Sequence, residues 1–104
     1  MINWKALASK IPSKIQITPK VSYEILWTDA FTDDKVVGET RFEQKQIVLK
    51  KGQSNKELIL TLIHECFHAI SFEYHISLTE SQVQKLEKAT YYLLKLFYIM
   101  TVKK

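Results

Sequence analysis

A chain of 104 residues that is 46% hydrophobic and 25% charged has the composition of one folded domain, leaves no room for a second, and excludes a disordered or low-complexity protein. Its net charge of +4 comes from lysines spread along the whole sequence with a single arginine, Arg41, a pattern that argues against nucleic-acid binding, where basic residues cluster on one face among aromatics. The single cysteine, Cys66, excludes an internal disulfide, and the longest apolar run, near YYLLKLFYIMTV, is broken by Lys95 and falls short of the roughly 20 residues that span a bilayer. The opening MINWKALASKIPSK also lacks the continuous apolar core of a secretory signal, so a cytoplasmic location is expected.

In chain order, the amphipathic stretch INWKALASKI predicts a short N-terminal helix that Pro12 ends. KVSYEILWTD then alternates apolar Val21, Tyr23, Ile25 and Trp27 with more polar neighbours, the period of a half-buried strand. Residues 29–35 form a polar turn. VVGETRFE and KQIVLKK read as two further strands joined tightly around Gln44 and Lys45, and three consecutive strands predict an antiparallel meander. Gly52 ends the last strand, and SNKE is a capping box with Ser54 as N-cap and Glu57 three residues on, so a helix starts here. Leu58, Ile59, Leu62, Ile63, Cys66, Phe67 and Ile70 recur at three and four along it. Ser77 or Thr79 caps a second long helix from about Glu80 to Phe97. The expected fold is α+β: a short antiparallel three-stranded sheet packed against two long helices, plus the short N-terminal helix. The core spans about residues 21–97, and 98–104 form a C-terminal tail.

All three histidines fall in one window, TLIHECFHAISFEYH, residues 61–75. His64 and His68 stand four apart with Glu65 directly after the first, the pattern H-E-x-x-H. On a helix that spacing stacks two imidazoles on one face, from which both can reach one Zn2+ ion without backbone distortion. Glu65 lies about 100° further round, too far to join the same coordination easily yet close enough to touch a water at the ion, which suits a general base. Peptide-bond hydrolysis asks for these parts: a polarised carbonyl, an activated water and a carboxylate that carries a proton to the leaving amine. Cys66 faces away from both histidines and reads as a core thiol.

A catalytic site needs a third protein ligand. The extended motif H-E-x-x-H-x-x-G-x-x-H would need Gly at 71 and His at 74, where this chain has Ser71 and Tyr74, and no aspartate follows Asp34. Glu73 falls about 140° off the face of His68. Glu80 opens the second helix, where a short connection can fold it back against the first. Its other use there would be to compensate the helix dipole. Glu87 lies about 10 Å further along the axis, so it and Glu80 cannot both touch the ion, and Glu87 takes a supporting or surface role. His75 stays open as an alternative ligand. No oxyanion stabiliser is identifiable: Tyr91 is some 16 Å along the helix from Glu80, and Tyr74 and Tyr92 carry no supporting pattern.

The run TLIHECFHAISFEYHISLTESQVQKLEKATYYLLKL, preceded by GETRFEQKQIVLKKG, resembles the short metallopeptidase-like proteins of bacterial phages and prophages, related to ImmA/IrrE-type and minimal gluzincin peptidases. The likeness covers about Tyr23 to Leu96. It implies a zincin-like domain with zinc held by His64, His68 and Glu80, Glu65 as base, and a peptide or protein substrate. It also implies that QIVLK is a cleft-rim strand to which an extended substrate adds, and that the tail FYIMTVKK can lie over the cleft and keep it latent. The rival reading is a binding module in which zinc only stabilises the fold.

Overall fold

A computed structural model describes residues 2–102. The chain opens with α1 (Trp4–Ser9), capped by Asn3, whose side-chain oxygen accepts from the Ala6 amide at 3.0 Å. Four strands follow: β1 (Lys14–Thr18), β2 (Val21–Thr28), β3 (Gly38–Arg41) and β4 (Gln46–Lys50). Two long helices complete it, α2 (Asn55–Glu73) and α3 (Glu80–Val102).

The α+β class and the order of a short helix, then strands, then two long helices are those expected. The sheet differs from the expected three-stranded meander: it has four strands in the order β1-β2-β4-β3, and β2 pairs with β4 in parallel. Two physical reasons account for this. First, KIQIT is a fourth strand, paired antiparallel to β2 through a tight turn at Pro19 and Lys20, with Thr18 Oγ1 accepting from the Lys20 and Val21 amides at 3.1 and 3.0 Å. Its Ile15 and Ile17 pack on the core. Second, Ile47, Val48 and Leu49 of β4 are all buried, whereas β3 reads GETR. A continuous apolar strand belongs in the sheet interior and a polar one at its edge. Residues 29–37 therefore carry the chain past the β4 position to the outer edge, and β4 returns between β2 and β3. The tight β3–β4 hairpin does form, with Lys45 at φ 57°.

Tyr23, Ile25, Ile47, Leu49 and Ala69 form the buried cluster, with Leu58, Leu62 and Cys66 of α2 packed against it. Burial pushes the Cys66 thiol up to about 11, as expected of a core cysteine. Trp27, at the far end of the alternating face of β2, is exposed. α2 touches β1, β3 and β4 as well as α1 and α3, so it carries the contacts between the sheet and the other helices. The backbone of residues 98–102 continues α3, and Tyr98, Ile99 and Thr101 line grooves against α1, so this stretch is helix rather than a tail over the histidines. The last two residues of the expected tail lie outside the described residues. Among the described residues no helix is long and apolar enough to cross a membrane.

Candidate metal centre

The site is built by two helix starts and one helix stop. Ser54 caps α2, with its Oγ accepting from the Glu57 amide at 3.2 Å. Thr79 caps α3 reciprocally with Gln82: the Gln82 amide donates to Thr79 Oγ1 at 3.1 Å, and the Thr79 amide donates to Gln82 Oε1 at 2.9 Å. Between them α2 ends in a Schellman turn. Ile76 N–H donates to Ser71 O at 2.9 Å and His75 N–H to Phe72 O at 3.3 Å, with His75 itself in the left-handed conformation at φ 56°. The reversal is therefore short, and it brings the first residue of α3, Glu80, beside the middle of α2.

His64 Nε2 lies 2.7 Å from Glu80 Oε1, His68 Nε2 lies 3.0 Å from Glu80 Oε2, and the two Nε2 atoms are 3.3 Å apart. The three residues form a group whose ligand atoms all fall within 4.8 Å of one another. Donors held at zinc distances in a tetrahedron are roughly 3.3 Å apart, so the histidine pair already has that spacing and the carboxylate sits slightly closer. Glu80 is 58% exposed while the histidines are largely covered, which leaves one side open to water.

Glu87 completes the environment of His64. Its Oε1 accepts from His64 Nδ1 at 2.9 Å. A carboxylate is acceptor-only, so with Glu87 ionised this contact favours the tautomer with its proton on Nδ1, which turns the Nε2 lone pair toward the oxygen of Glu80. Two lone pairs facing each other at 2.7 Å call for a positive centre between them, either a second ring proton or a cation. The residues present thus fit a zinc ion in donor type, spacing and tautomer.

Glu65 points elsewhere, as its position on the helix requires. It is buried, and Thr40 Oγ1 of β3 lies 2.8 Å from its Oε1 and 3.1 Å from its backbone carbonyl. Burial pushes its carboxyl above the ordinary carboxylate value, against the Thr40 hydrogen bond and the two histidines, which pull the other way. Glu65, His64 and Glu87 line one polar cleft of about 220 Å³ together with Gln53, Glu57, Leu60 and Thr61. Gln53 ties the cleft wall together: its amide donates to Val37 O and Lys50 O, and its Oε1 accepts from Thr61 Oγ1 at 2.8 Å.

The chain matches no family model, no curated protein and no solved structure.

Of the residues singled out in the sequence, His64, His68, Glu80 and Glu87 come together and Glu65 stands in the adjoining cleft. His75 is the exposed helix stop and is not among the grouped ligands. Glu73 accepts from Tyr23 OH at 2.6 Å and pairs with Lys45, which tethers the end of α2 to the sheet. Tyr74 reaches back to Ile17 O, Tyr91 stacks on Trp4 at 5.9 Å, and Tyr92 is exposed, so none of the three lines the cleft. QIVLK, expected at the cleft rim, is β4 and has both edges paired. The unpaired edge beside the site belongs to β3. Thr40, Gly38 and Gln53 carry no signal in the sequence, because nothing local distinguishes a strand threonine that meets a helix 25 residues later. Only the GETR polarity hinted that this strand was an edge.

Proposed function

We propose that this chain is a zinc-dependent metallopeptidase of the minimal gluzincin kind, similar to the small H-E-x-x-H proteins of phages and prophages. The observation that carries the reading is the convergence of His64 Nε2, His68 Nε2 and the Glu80 carboxylate, with Glu87 against His64 Nδ1. His64, His68 and Glu80 would hold the ion, which when bound supplies Lewis acidity toward a carbonyl and acidifies a water. Glu65, raised in pKa by burial and held by Thr40, takes a proton from the attacking water and returns it to the departing amine. Glu80, on the open side, leaves room for the scissile carbonyl. An extended peptide would add to the free edge of β3, where main-chain groups are unpaired.

A second reading is a zinc-stabilised binding domain; among the described residues no tyrosine lines the cleft. The two readings separate on one set of proteins. Wild type, Glu65→Gln, Glu80→Ala and His75→Ala are assayed for bound zinc and for cleavage of an unfolded protein. The peptidase reading expects one zinc in wild type, Glu65→Gln and His75→Ala, weakened binding in Glu80→Ala, and cleavage lost in Glu65→Gln alone among the zinc-loaded forms. Zinc bound without cleavage by any form would support the binding domain, and no zinc in wild type would overturn both.

A further inference from the structure

The helix that carries Glu80 and Glu87 has a second surface that the site does not use. On the side facing the body, Val83 is buried, Glu87 meets His64, Tyr91 stacks on Trp4, and Leu94 and Tyr98 line the groove against α1. The outward side repeats apolar residues at three and four, Ala89, Leu93, Leu96 and Met100, flanked by Tyr92 and by Phe97 and Ile99, which also border the grooves against α1. This is the heptad spacing of a helix that packs along another helix. Yet Tyr92, Leu93, Leu96, Phe97, Ile99 and Met100 are each between 49% and 66% exposed.

The area decides what this surface can support. Six large apolar side chains left about half exposed present on the order of 600–700 Å² of apolar surface. That reaches or exceeds the largest patch on a typical monomer, roughly 300–600 Å², and approaches the roughly 800 Å² that each partner buries in a stable interface. An apolar groove of about 280 Å³ between α1 and α3, lined by Leu7, Leu94, Phe97 and Tyr98 among others, adjoins the stripe and can receive a protruding side chain. Between Glu87 and Met100 the only charged residues are Lys88 and Lys95, and neither belongs to the repeat of Ala89, Leu93, Leu96 and Met100, so the stripe itself presents no charged group and its complement is another apolar helix face. An identical stripe on a second molecule is such a face, and twofold pairing lets each copy present it to the other.

From this area and spacing we infer that the protein is a homodimer joined through the outward face of α3, residues 89–100. The interface lies on the side of α3 away from His64, so pairing leaves the cleft free.

Sedimentation equilibrium of the full chain from about 1 to 200 µM tests this, with the double variant Leu93→Glu/Leu96→Glu beside it. The expected result is twice the 12.2 kDa chain mass for wild type, and a dissociation constant at least about 100-fold weaker for the variant with an unchanged far-ultraviolet spectrum. If that variant does not fold, Tyr92→Lys/Met100→Lys, at the two most exposed positions, serves the same purpose. A wild type that stays monomeric throughout overturns the inference, as does a folded variant that dimerises as well as wild type. A monomer that co-sediments with anionic lipid vesicles would also overturn it, by giving the stripe to a membrane surface.

Discussion

Gly38 is where the sheet edge meets the histidine helix, and Gly38→Ala sets two effects against each other. Its φ lies outside the left-handed region, so on backbone grounds alone alanine would be tolerated. The narrower unfolded ensemble would then stabilise the protein by about 0.4–1 kcal/mol. The tertiary contact reverses the sign. The added Cβ would lie 2.6 Å from Thr61 Cγ2, 3.1 Å from Glu65 Cγ and 3.2 Å from Glu65 Oε2. The Thr61 methyl is fixed directly to a β-branched carbon, and turning it away would take the Thr61 hydroxyl off Gln53. β3 must retreat from α2 instead, and overpacking of this kind costs about 1–3 kcal/mol. The net expectation is a loss of roughly 1–2 kcal/mol, a melting temperature lower by about 5–10 °C for a chain of this size. Thermal unfolding followed by circular dichroism in metal-free buffer reads the effect without contribution from bound ions. An unchanged or higher melting temperature would refute the close approach of β3 to α2, and with it the Thr40–Glu65 contact.

Other outcomes follow from the same structure. Glu87→Ala removes the acceptor at His64 Nδ1 and is expected to weaken zinc binding about 10- to 100-fold; competition against a chromophoric chelator measures it, and an unchanged affinity would discard the role of Glu87. Tyr23→Phe removes a buried hydrogen bond to an ionised carboxylate and is expected to cost about 1.5 kcal/mol in urea unfolding. The hydrogen bonds from Lys45 and then Tyr23 hold the Glu73 carboxyl below its ordinary value of 4.5. Its stabilisation is therefore present above pH 4.5 and lost as the pH falls through the lowered value. Glu73→Gln should accordingly be less stable than wild type near neutrality and approach it in acid; a gap that persists unchanged into acid would contradict the pairing. His75→Gly relieves a left-handed residue worth about 1–2 kcal/mol against a glycine entropy cost of about 0.5–1 kcal/mol. A gain of about 0.5 kcal/mol with zinc binding unaltered is expected, and a loss of zinc would instead make His75 a ligand.

Much of this protein was legible because its signals are local. Capping at Ser54 and, of the two candidates Ser77 and Thr79, at Thr79, three–four periodicity along α2, and H-E-x-x-H one turn apart are short-range patterns, and each appears in the structure. The same periodicity separated Cys66 from the histidine face and moved Glu73 off it. What the sequence left open depended on contacts across the chain. The order β1-β2-β4-β3 arises because burial favours IVL in the sheet interior and GETR at its edge, a competition between strands that no single window displays. Glu80 and Glu87, separated by two helical turns, meet opposite nitrogens of one imidazole only because α3 folds back along α2 after the His75 stop. Thr40 meets Glu65 only because β3 was carried to the edge beside that helix. The residue types available to the site can be read from the sequence by itself; which of them converge was decided by the crossover of one strand and the return of one helix.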